Sequence, residues 1–358
     1  MAILDMNNFF KVPSPREPWS LDEKRAVSAL MKEARKNARP STCILCNKPL
    51  AKSCNSHSIP RFVLKNIASS GRFYTTNVAL KMPGLEEEKG INNFETFYTI
   101  CPSCDSSMFK DYENPDNWTQ EPTPAMLFQI ALKNYLWLWS KRLKEDAQYK
   151  LLERQFGTSD FLEMKKALTS IDKQDYEHLV STATGRNRSQ LKYKIDLLIT
   201  LPYRIPIAFQ GAITVIAGFN GQLINNVYNL ADSKSVQELH ICVFPLEKSS
   251  VVLCFTNKKH NRYRSFFKEL NTLKRDEQLS VILYLLLAYE ESIAFSNTID
   301  TSFFENELVL DVMGKEQTIL RNGHASVAEL GKYAAECYSC EAAFELPNLL
   351  SSDFAVDF

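Results

Sequence analysis

This 358-residue chain carries no net charge: Lys+Arg and Asp+Glu both number 42. Total charge therefore neither favours nor excludes an anionic partner, and only its local distribution is informative. Long apolar runs are missing too. The most apolar stretch, Val281 to Tyr289, falls far short of the ~20 residues that a membrane span needs. The opening residues MAILDMNNFFKVPSPREP have no basic segment followed by an apolar one, so no secretion signal is expected. A cytoplasmic protein with no membrane partner is the expectation. There is no glycine-rich phosphate loop, no G-x-S-x-G and no H-E-x-x-H, which argues against the hydrolase and nucleotide-binding classes those motifs define. Gly218-Phe-Asn-Gly221 is only a turn signal, and neither an internal repeat nor a low-complexity tract is present.

What is present is ordinary for a globular chain with a core: 45% hydrophobic and 23% charged residues, over a length that suits two or three domains. Nine cysteines is an odd number, and four of them form two close pairs in the first third. In a chain without a secretion signal this favours metal binding over disulfides.

Periodicity divides the chain. Residues 1–40 form an arm with three prolines in its first 20 residues, then a basic amphipathic helix over 21–37, ended by Pro40. Residues 41–115 hold the cysteine pairs. The proline-bearing loop after residue 113 marks the boundary of a larger domain, 116–358. That domain reads as helices (125–155, aromatic-rich, and 160–182), then a half-buried strand around Tyr193–Leu197. A hairpin, LHICVFP (239–245) with SVVLCFT (250–256), follows, and helix returns over 262–295. The predicted fold class is therefore α+β: an N-terminal zinc module followed by a larger mixed α/β domain of open role.

The zinc prediction rests on Cys43-Ile-Leu-Cys46 and Cys101-Pro-Ser-Cys104. Two thiolates separated by two residues reach one tetrahedral ion from a tight turn, and two such pairs complete a closed structural site. The 54 residues between the pairs imply an insertion, expected near residues 70–97. Cys54 stands outside this scheme and reads as a small buried residue. Cys337 and Cys340 sit in a helical run with no second pair nearby, and helix packing is the better reading.

Between the pairs lies Asn55-Ser56-His57-Ser58-Ile59-Pro60-Arg61, and Asp105 follows the last cysteine directly. With the cysteines, these residues resemble the zinc-bearing branch of the HNH, or His-Me finger, nucleases, including phage endonucleases that resolve branched DNA. The Cys…His-x-Ile-Pro…Cys arrangement also resembles bacterial proteins of unassigned function associated with phage defence. The resemblance covers residues 43–113, about a fifth of the chain. It implies a ββα-metal, treble-clef-like unit, His57 as general base, and Asp105 as ligand of a catalytic Mg²⁺ or Mn²⁺. A helix opened by Pro102 sets Asp105, Phe109 and Glu113 on one side, which makes Glu113 a second candidate ligand. Two positions depart from the family pattern. Ser56 stands where Asp, His or Glu precedes the base, and Asp105 replaces the common Asn or His. Either the metal is held differently, with Glu113 or Asn55 helping, or catalysis is lost.

Residues 20–81 hold twelve Lys or Arg against three acids. That local excess surrounds His57, as phosphate binding requires. Arg61 and Lys65 share a face of a short helix, Pro60 to Ala68, capped by Ser58, and are the predicted nucleic-acid contacts. The basic runs 186–194 and 257–264 could extend the groove or be plain loops. The expected function is a metal-dependent endonuclease that hydrolyses phosphodiester bonds in DNA, with RNA left open, as an effector of phage defence. The 116–358 domain would recognise a trigger, a protein partner, a second copy or the substrate. The alternative, which Ser56 favours, is an inactive zinc module binding nucleic acid or a protein.

Overall fold

A computed structural model describes residues 21–50, 54–80, 87–229, 236–315 and 326–356. The expected arm over residues 1–20, and Lys52 and Lys81 of the basic segment, lie outside them. The chain is a mixed α and β structure, as its periodicity predicts. It begins with helix α1 (Leu21–Asn37), then β1 (Ser56–His57), α2 (Arg61–Lys65), β2 (Arg72–Thr75), β3 (Glu88–Gly90), β4 (Thr96–Phe97) and α3 (Pro102–Met108). Two long helices follow, α4 (Pro124–Phe156) and α5 (Asp160–Thr184). Strands β5 (Tyr193–Leu201), β6 (Ile207–Ile213), β7 (Leu239–Pro245) and β8 (Ser250–Asn257) come next. Helices α6 (Arg264–Leu270) and α7 (Arg275–Tyr289), strand β9 (Ala294–Phe295) and helices α8 (Glu307–Met313) and α9 (Val327–Cys337) complete the order.

Seven strands form one sheet in the order β3-β2-β9-β6-β7-β8-β5, and every pairing in it is antiparallel. Its two faces serve two cores. Along β7, Leu239, Ile241 and Val243 pack with α7 and the C-terminal helices. The alternate residues Cys242 and Phe244 pack with α4 and the cysteine-bearing segment. Because both faces are covered, β7 and β8 read as continuous apolar runs rather than alternating ones. Helix α7 is buried from Val281 to Ala288 on every side, which accounts for its membrane-like composition without membrane length. Among the described residues no helix is long and apolar enough to cross a membrane.

The insertion between the cysteine pairs does not hang free. Its strands β2 and β3 extend the large sheet through β9, with Tyr74 opposite Phe295 and Thr75 opposite Ala294. Val63, Leu64, Phe97 and Tyr112 share a core with Phe128, Leu132 and Phe255. No gap in packing therefore falls at residue 115. The 262–295 helix of the sequence reading is two helices and a short strand, with the chain turning between Leu270 and Arg275. In the C-terminal cysteine run, α9 ends at Cys337 and a separate 3₁₀ turn starts at Cys340. Half-exposed Cys337 and buried Cys340 are both free thiols.

Candidate functional site

The cysteines are gathered by three local devices. After Cys46, Asn47 adopts a left-handed conformation (φ 57°), which asparagine tolerates better than most residues. The turn this permits is closed by Asn47 N–H donating to Cys43 O and Cys43 N–H to Lys48 O, both at 2.8 Å. The turn is tied to the second pair by Ile44 N–H donating to Thr99 O at 3.0 Å. Pro102 opens α3 with Cys101 at its N-cap, so Cys101 and Cys104 project from the first helical turn. Proline fits there because its missing N–H has no intrahelical role.

The resulting sulfurs all lie within 4.8 Å of one another, with Cys46 Sγ 3.9 Å from Cys101 Sγ. Four thiolates at ~2.3 Å from a tetrahedral zinc stand ~3.8 Å apart, so the set fits the ion. Cys101 N–H donates to Cys43 Sγ at 3.3 Å, the contact a thiolate accepts. Bonding to Ser103 brings the Cys101 thiol down to about 6, while burial and the neighbouring thiols push Cys104 up. Such crowded sulfurs share protons, and ionising all four needs a cation. A structural metal such as zinc is what this donor set can hold. Among the described residues, the quartet is the one group of three or more His, Cys, Asp or Glu side chains with converging ligand atoms. Cys54 stands outside it. Its thiol, pushed up to about 12 by burial and by Asp105, donates to Asp105 Oδ2 at 3.3 Å.

Ser56 and His57 pair with Phe97 and Thr96 respectively. Successive strand residues face opposite ways, and the two side chains part company accordingly. Buried Ser56 donates through Oγ to Asp105 Oδ1 at 2.5 Å. The His57 ring turns the other way, where Nε2 meets Ile91 O at 2.9 Å. A carbonyl only accepts, so Nε2 carries the proton and Nδ1 is the basic nitrogen. Burial, with help from the charges of Lys133 and Arg61, lowers the His57 pKa below its ordinary 6.5. The ring is therefore neutral at pH 7.

Asp105 and Glu113 meet at a residue that the sequence reading did not single out. Lys133 of α4, only 1% exposed, reaches Asp105 Oδ1 at 2.7 Å and Glu113 Oε1 at 3.0 Å. Its ammonium lies 4.0 Å from the centre of the Phe109 ring. Burial pushes the Asp105 carboxyl up, but Lys133, Ser56 and Cys54 outweigh burial and hold it below its ordinary value. Burial prevails at Glu113, whose carboxyl is raised despite the same lysine. Glu113 does not arrive on the helix. Helix α3 ends at Met108, and a following turn, closed by Glu113 N–H donating to Phe109 O at 3.1 Å, brings it in. Lys133 is itself held in register. Asn134 bonds His240 Nδ1 at 3.1 Å and accepts from Gln210 at 3.0 Å, and Tyr135 bonds His240 Nε2 at 3.3 Å. The ammonium already occupies the cation position between these carboxylates. A divalent ion does not fit there while Lys133 remains, and no chemical step is derived through one.

Arg61 and Lys65 are exposed on one face of α2, and Arg61 donates to Asn92 Oδ1 at 2.9 Å. Asn55 Nδ2 donates to Asn92 O at 2.7 Å and so tightens the same loop. The helix is shorter than expected, with Pro60 at the N-cap and no side-chain cap bond, so Ser58 does not cap it. Arg72 is paired with Glu88 at 3.1 Å. In the basic run 186–194, Arg188 stacks on Phe128 and Lys194 pairs with Asp196; in the run 257–264, Arg262 donates to Asn225 Oδ1 at 3.0 Å. No family model, no curated protein and no solved structure matches this chain.

Proposed function

We propose that this protein cleaves nucleic acid by phosphodiester hydrolysis, with His57 as general base and the cysteine quartet as a structural zinc site. The observation that carries this reading is the setting of His57. Its ring is neutral, its Nε2–H is oriented by Ile91 O, and its Nδ1 is left to take a proton from an attacking water. Arg61 stands close enough to lower the His57 pKa, and with Lys65 supplies positive charge for the phosphate backbone. Asp105 and Glu113, the residues that the nuclease resemblance assigns to Mg²⁺ or Mn²⁺, would bind such an ion only after Lys133 withdrew. The resemblance to phage-defence proteins gives this cleavage its proposed setting.

The Lys133–Asp105 pair favours a second reading, in which the zinc module binds nucleic acid or a protein without cutting. One assay separates them. The full chain is incubated with plasmid, and with single- and double-stranded oligonucleotides, in Mg²⁺, Mn²⁺ or EDTA, beside a His57→Ala variant of equal zinc content. Cleavage lost in the variant by ~100-fold or more supports the base. Wild type and variant equally inert, but equally able to bind, would establish the binding module instead.

A further inference from the structure

A second group of cations lines a cleft between α1, β4 with its continuation to Thr99, and the middle of α4. Arg35 and Arg39 come from the last turn of α1 and the residues just after it. Lys141 and Lys144 come from α4, on the face they share with Trp137 and Ser140. The cleft is small and open, with a volume of about 40 Å³ for the centres of water-sized molecules, and no acidic residue lines it. No carboxylate of the described residues is in direct ion-pair contact with these cations, although the charges of Glu290, Glu95 and Glu291 outweigh burial at Lys141 and raise its pKa. Burial and the charges of Arg35 and Lys141 depress the Lys144 pKa, against the pull of Glu95. Arg39 is already oriented, with its guanidinium carbon 4.3 Å from the centre of the Tyr98 ring.

Thr96 and Thr99 supply an independent sign of a ligand. Both line the cleft, they are only 6% and 3% exposed, and neither hydroxyl has a hydrogen-bond partner. Buried hydroxyls nearly always have partners, and the exceptions call for a missing one. Four cations and two free hydroxyls offer more donors than the two oxygens of a carboxylate can use. A tetrahedral oxyanion matches them.

We propose that Arg35, Arg39, Lys141, Lys144, Thr96 and Thr99 form a phosphate-binding site, which takes a backbone phosphate of nucleic acid or the phosphate of a free nucleotide. Thr96 is the cross-strand partner of His57, so phosphate held here lies on the side of the β1–β4 ladder that carries the His57 ring. The site is defined by binding and does not depend on hydrolysis at His57.

The test is titration calorimetry on the full chain at low salt, with pyrophosphate, ATP and a short single-stranded oligonucleotide in separate arms. At least one should bind, with affinity falling as salt rises. Lys144→Gln and Arg39→Ala should each weaken binding by about tenfold or more. Thr99→Val, which keeps the shape and removes a hydroxyl, should weaken it several-fold without lowering the melting temperature. Binding of ATP and oligonucleotide alike identifies a nucleotide pocket, and binding of oligonucleotide alone a backbone subsite. The proposal is overturned if none of the three binds, or if Lys144→Gln and Thr99→Val both bind as wild type. Loss of cleavage in His57→Ala with binding unchanged would leave this site standing, so the two proposals fail separately.

Discussion

Replacing Lys133 with methionine keeps the apolar stem and deletes the one charge that holds Asp105 and Glu113 together. Breaking a buried ion pair costs ~3–5 kcal/mol, because the partner stays buried without compensation. Asp105 and Glu113 retain 20% and 32% exposure, so water recovers part of the loss and the low end, ~3 kcal/mol, is expected. Unfolding entropy of ~2.1 cal/mol/K per residue, taken over 358 residues, is about 0.75 kcal/mol/K. A loss of ~3 kcal/mol then lowers the melting temperature by about 4 °C. The sign of the pH dependence follows from the carboxyls. In the wild type Asp105 is held below its ordinary value, so its contribution is present at neutral pH and fades as pH falls through its folded pKa. Glu113 is raised, so its own protonation favours the folded state in acid, and this advantage fades as pH rises through its folded pKa. Without the ammonium both carboxyls rise, so the deficit of Lys133→Met is largest at pH 7 and narrows toward pH 4. Adding Asp105→Asn and Glu113→Gln to Lys133→Met should recover most of the loss. Calorimetric melts of the single and triple variants at the two pH values decide it. A single variant melting within 1 °C of wild type at pH 7, or a triple variant no better than the single, would refute the buried-pair account.

Elemental analysis of the purified protein should find about one zinc per chain. Cys101→Ser should release it and unfold the surrounding segment, because metal binding in such sites is folding energy; an intact, zinc-loaded variant would remove the structural role. If His57 is the base, its burial-lowered pKa keeps it neutral into mild acid. Cleavage should then stay level from pH 8 down past the ordinary histidine value of 6.5 before it falls, and a profile already falling at pH 7 would exclude His57. Arg61→Ala should weaken nucleic-acid binding at every sequence and reduce the salt slope by about 1, the signature of one phosphate contact; an unchanged slope would place the phosphate path elsewhere.

Much of this molecule is legible from local pattern alone. The two cysteine pairs announce themselves because tight turns bring residues three apart to one ion, and the quartet is gathered within 4.8 Å as that spacing requires. Helices α4 and α5 follow from their long helical texture, and the β7–β8 hairpin from two short apolar runs joined by a polar turn. Short or fully buried runs hid other elements. Strand β6 is buried throughout and β9 has only two residues, so neither shows a period. Only the sheet reveals that the insertion between the cysteines is its edge.

The sites divide along the same line. Residue type and spacing marked the two cysteine pairs as candidate metal ligands and gave the basic character of residues 20–81, because each depends on neighbours close in sequence, while His57 was singled out by the family resemblance. Tertiary structure decided that Asp105 and Glu113 face Lys133, residues 28 and 20 positions away. It also decided that Arg35 and Arg39 share a cleft with Lys141 and Lys144. An isolated lysine on an aromatic helix carries no mark of its partners in its own sequence. Its role is set when packing removes water from it, since burial is what turns an ordinary charge into one that must be answered by another.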